Sequence, residues 1–83
     1  MDLMNMSKPT EFYNHATGMV QIYKECLLTG REYFVIVETE KFEAWRNGKT
    51  IQSVFPELTI EEREFLVMGL TPAEQEELYK ELG

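Results

Sequence analysis

The sequence predicts an α+β domain that is mainly helical: an N-terminal amphipathic helix, one apolar strand, then three to four short helices. Three observations carry this expectation. Apolar residues recur at spacings of four and three over residues 10–28, the spacing of one helix stripe. A single β-branched and aromatic run follows at 32–38, and two capping boxes begin at Thr59 and Thr71. With 83 residues the chain supports one small domain. Residues 1–9 read as a flexible N-terminus and 10–83 as the domain, divided into an added helix (10–28), a strand (32–38) and a helical region (40–82).

Phe12, Ala16, Met19, Tyr23 and Cys26 form the stripe of the first helix, widened by Val20, Leu27 and Leu28. Gly18 inside it costs about 1 kcal/mol relative to Ala, and Gly30 suits a stop. The run Glu32–Glu38 sends Phe34 and Ile36 to one side and Tyr33, Val35 and Val37 to the other. Both sides are apolar, so the strand wants cover on both. No second strand of equal quality is evident, so the expectation is pairing with a copy of itself or with a partner protein, through Val35, Ile36 and Val37. A short strand near the N-terminus is the alternative.

A short helix over 40–47 is capped by Thr39, stopped by Asn47-Gly48, and shares Phe42 and Trp45 on one face. Thr50–Phe55 adds a turn or two, ended by Pro56. Thr59-Ile-Glu-Glu62 opens a helix stopped by Gly69. Thr71-Pro-Ala-Glu74 opens the last one, with Pro72 at its first position. On that helix Leu78, Tyr79 and Leu82 are expected inside, Glu74, Glu77 and Glu81 line the opposite side, and Glu76 pairs with Lys80.

The formal net charge is −7, and it is unevenly placed. Residues 57–83 hold eight acids against two bases, whereas 1–56 are nearly balanced. Such a surface repels phosphate and anionic lipid, which speaks against direct nucleic-acid or membrane binding and favours a partner with a basic surface. No apolar run approaches the ~20 residues of a membrane-spanning helix. The N-terminal residues lack a basic segment followed by a long apolar one, so no signal peptide is expected.

Catalytic chemistry finds little support. One Cys and one His cannot form a structural zinc site. Cys26 and His15, set on a continuous helix, would stand about 16 Å apart. There is no phosphate-cradling glycine loop and no calcium-loop spacing. Glu61, Glu62 and Glu64 lack neighbours that would divide acid and base roles between them. The expectation is therefore a protein that is not an enzyme and takes no cofactor or metal.

Two resemblances bear on function. Leu58–Glu74 resembles the first two helices of LuxR-type helix-turn-helix domains. However, the interval between Phe65-Leu66 and Gly69 is about three residues short of that pattern, and no basic recognition helix follows within the 83 residues. Residues 33–72 resemble a recurrent small protein of tailed bacteriophages and prophages. The residues that carry the likeness are Trp45, Gly48, Ile51, Gln52, Phe55, Pro56, Leu58, Thr59, Glu62, Arg63, Glu64, Phe65, Leu66, Gly69, Thr71 and Pro72. That likeness implies a phage origin and a bacterial host cytoplasm, without implying an activity. Trp45, Ile51, Phe55, Leu58, Phe65 and Leu66 read as core anchors. Gln52 reads as a helix cap, and Arg63 as a partner for nearby carboxylates.

The functional expectation is a small acidic phage protein that binds and modulates a host protein, one that itself binds nucleic acid or serves in defence. Its contact would be Glu61, Glu74, Glu77 and Glu81. A homodimeric assembly accessory is the first alternative, and a helix-turn-helix DNA-binding regulator the second.

Overall fold

Residues 10–25 form a β-hairpin, not the expected helix. In the computed structural model, which describes residues 8–82, β1 (Thr10–Asn14) turns into β2 (Met19–Glu25). The turn is made by local chemistry. The Asn14 carbonyl accepts from the Thr17 and Gly18 amides, and its side-chain oxygen accepts from the Ala16 amide at 3.0 Å. Gly18 takes φ +71°, so the residue that looked like a helix defect is the turn glycine. A second turn, with Gly30 at φ +74°, leads to β3 (Glu32–Glu38).

The result, among the described residues, is a three-stranded antiparallel sheet in the order β1-β2-β3. The mainly helical, one-strand class is thereby corrected. β3 finds its neighbour inside the chain, pairing with β2 from Glu25↔Glu32 to Met19↔Glu38. The reason for expecting a second subunit, an unpaired strand, falls away.

Among the described residues four helices cover one side of the sheet. They are α1 (Thr39–Arg46), α2 (Ile51–Val54), α3 (Ile60–Met68) and α4 (Pro72–Leu82). Their starts follow the sequence closely. Thr50 caps α2, and Thr59 with Glu62 forms the full capping box of α3. Thr71 and Glu74 form the box of α4, with amide-to-side-chain distances of 2.8 and 3.3 Å. α3 stops at Gly69 in the left-handed conformation, φ 76°. α1 begins one residue earlier than expected, so Thr39 is its first residue and Glu38 stands at the cap without a side-chain bond.

The core lies between the sheet and the helices. Val20 and Ile22 of β2, Val35 and Val37 of β3, and Phe42, Val54, Phe55 and Phe65 are buried together. Trp45, Ile51, Leu58 and Leu66 pack against them. Every anchor expected from the phage-like motif thus touches the core. Tyr33 adds an edge-on contact with Phe65, with centroids 4.9 Å apart. Tyr79, expected inside, is exposed. The expected flexibility of residues 1–9 lies, for 1–7, outside the described residues, as does the orientation of the Leu82 side chain. Pro9, at the other end of that stretch, packs on Gly69.

Candidate functional site

The pleat of the sheet sorts its side chains into two sets. Val20, Ile22 and Lys24 of β2 face the helices, as do Val35 and Val37 of β3, and all five are buried. Neighbours one position along face the other way. The register then groups Phe12, Gln21 and Ile36 in one row across the sheet, and Thr10, Tyr23 and Phe34 in the next. No element of the described chain covers this outer face. Phe12, Phe34 and Ile36 remain 58%, 50% and 48% exposed. Phe12, Asn14, Thr17, Met19, Gln21 and Ile36 line a groove of about 190 Å³ there. That is smaller than the ~300–1,000 Å³ of small-molecule sites, and suits protruding side chains better than a metabolite. Glu25 and Glu32 sit side by side at one end of the face, and Glu38 at the other. The three strands contribute no Lys or Arg to it.

The expected contact residues separate sharply in the structure. Ile36 belongs to the outer face, but Val35 and Val37 are core residues, 3% and 4% exposed. The acidic row on α4 is broken at its first member: Glu74 is 0% exposed. Its carboxylate accepts from the Thr71 amide at 2.8 Å and the Leu27 amide at 3.2 Å, and meets the Lys24 ammonium at 3.0 Å. Lys24 also donates to the Gly69 carbonyl at 3.0 Å. Alongside, the Gln75 amide donates to the Leu70 and Glu61 carbonyls. Burial pushes the Glu74 carboxyl up, but the Thr71 amide, Lys24 and the Leu27 amide outweigh it and hold the group below the usual carboxylate range. Glu74 therefore joins α4 to β2 and presents nothing to a partner. Of the others, Glu61 and Glu81 are exposed and Glu77 is half-buried.

Glu61 lines a hollow of about 750 Å³ together with Pro72, Ala73, Gln75, Glu76, Tyr79 and Lys80. Its lining includes no histidine or cysteine. Glu76 and Lys80 approach to 3.9 Å, as their spacing predicts, on an exposed surface where such a pair counts for little. Gln52 is exposed and Arg63 half-buried; among the described residues Gln52 caps no helix and Arg63 makes no ion pair.

Cys26 is buried. Burial pushes its thiol up, but hydrogen bonds with Thr29 and Thr71 prevail and lower its pKa. His15 lies in the β1–β2 turn, so the length of β2, on the order of 20 Å, separates the two. The helical separation of about 16 Å does not apply, because Met19–Glu25 forms a strand. Among the described residues no group of three or more His, Cys, Asp or Glu is placed to hold a metal, and no helix is long and apolar enough to cross a membrane.

The feature that sequence reasoning missed is the outer face as a unit. Its signal was present in the alternation Met19, Gln21, Tyr23 against Val20, Ile22, Lys24, which has the period of a strand. Comparison with known proteins adds no constraint: no family model, curated protein or solved structure matches the chain.

Proposed function

We propose that this is a non-enzymatic interaction protein that binds and modulates another protein through the outer face of its sheet. The observation that carries the reading is the uncovered apolar surface of Phe12, Phe34 and Ile36. Contiguous apolar patches ringed by polar groups mark interaction surfaces. The resemblance of residues 33–72 to phage proteins supports a host protein in the bacterial cytoplasm as the target. The contact moves from the α4 acids to the sheet, because Glu74 is enclosed.

Magnitudes limit what the patch does alone. Covering three half-exposed side chains is worth on the order of 3 kcal/mol. A micromolar complex needs about 8 kcal/mol. Further contacts must therefore accompany the apolar ones.

The test is site-specific photo-crosslinking in bacterial cells. A photoreactive phenylalanine analogue at position 12 or 36 should give a discrete protein adduct, whereas the same analogue at 77 or 81 should not. Adducts confined to 77 and 81 would return the contact to α4 and overturn the reading.

A further inference from the structure

We propose that the outer edge of β3 takes an extended segment of the partner protein as a fourth strand, and that this segment carries a basic, two apolar and a second basic residue at alternate positions. The proposal deepens the reading of the outer face as the contact surface and rests on it.

Among the described residues β3 is an edge strand, seven residues long. Alternate residues of such a strand turn their N–H and C=O groups away from the sheet. Beyond the ladder to β2, no hydrogen bond among the described residues uses the backbone of residues 32–38. Edges are ordinarily blunted by Pro, Lys or a bulge. β3 has none of these: its register with β2 runs one-to-one from Glu32 to Glu38. The opposite edge, β1, is shorter, and its Glu11 is tied to Arg46 of α1.

Along the outer face β3 reads Glu32, Phe34, Ile36, Glu38. Glu25 stands directly opposite Glu32 on β2, a like-charge pair that works against the sheet. A cation entering beside Glu32 relieves that repulsion. The same pattern selects against a second copy of this chain. Two β3 strands paired antiparallel about Val35 set Glu32 of one copy against Glu38 of the other, at both ends. A foreign strand with a basic residue at each end pairs both acids and lays its two apolar residues beside Ile36 and Phe34. Strand addition of this kind also supplies the main-chain hydrogen bonds that the apolar patch lacks.

The probes are two synthetic peptides with blocked ends, KTVTFTK and ETVTFTE, titrated into the isotope-labelled full chain at low salt. The basic peptide should shift the amides of residues 32–38 and bind about tenfold or more tightly than the acidic one. Equal affinities, or shifts that avoid residues 32–38, would overturn the proposal. A second readout needs no peptide. In E32K the antiparallel arrangement of two copies sets an ammonium against Glu38 at both ends, so E32K should dimerise where the parent chain does not, and E32K/E38K should return to the monomer. An E32K protein as monomeric as the parent also overturns the proposal. If crosslinks form from position 36 while the β3 edge stays inert in both assays, strand addition is wrong and the contact reading survives. If the edge is active while crosslinks come only from 77 and 81, the contact reading has failed on its own.

Discussion

The two sides of one sheet reverse the usual placement of polar and apolar groups. On the covered side, β2 buries Lys24 against the fully enclosed Glu74. On the uncovered side, β1 and β3 hold Phe12, Phe34 and Ile36 half in water. The covered ion pair is completed by two amides and a carbonyl, which is the condition for burying charge. The uncovered side chains have no such completion among the described residues. A fold that tolerates a demanding polar joint inside, and leaves easily buried groups outside, has its structural joint and the surface proposed for contact on opposite sides.

Breaking the covered side should have the largest effect. Glu74→Gln leaves the Lys24 ammonium enclosed without its counter-charge, and should cost about 3–5 kcal/mol in urea unfolding. Gly69→Ala comes next. It forces a side chain onto a residue at φ +76°, with its Cβ 3.0 Å from the Pro9 ring. Left-handed strain alone costs about 1–2 kcal/mol, so a loss at or above that range is expected by the same method.

The joint also fixes a pH dependence. The Glu74 pKa is lower in the folded chain than in the unfolded one. Its contribution is therefore complete above the unfolded carboxyl's value, about 4.3, and is lost as pH falls through the lower folded value. Thermal unfolding of the parent should weaken below about pH 4, and Glu74→Gln should lack that part of the decline. On the uncovered side effects on stability should be small: Phe34→Thr should stay within about 0.5 kcal/mol of the parent.

The same contrast explains what the sequence discloses. The starts of α2, α3 and α4 are legible because Thr50, Thr59 and Thr71 bond to groups only three residues away. The two-sided apolar character of β3 is legible for the same reason, since alternation is local. The hairpin is misread because Phe12, Ala16, Met19, Tyr23 and Cys26 happen to fall at helical spacing, although Asn14 and Gly18 mark a turn and Val20 and Ile22 alternate with polar neighbours. Lys24 hides the alternation, for a lysine in line with Val20 and Ile22 looks exposed until its distant counter-charge is known. Glu74 deceives in the mirror sense: its spacing places it with Glu77 and Glu81, and only the folded chain shows that it reaches Lys24.

Adjacent positions on β3 test the division of labour most directly. Urea unfolding of Val35→Thr and Ile36→Thr compares the same change in polarity on the two faces of one strand. A loss of about 1–3 kcal/mol is expected for Val35→Thr, and a change within about 0.5 kcal/mol for Ile36→Thr. Equal losses at the two positions would show that the outer face is held inside the folded protein, and would contradict its role as a surface kept for a partner.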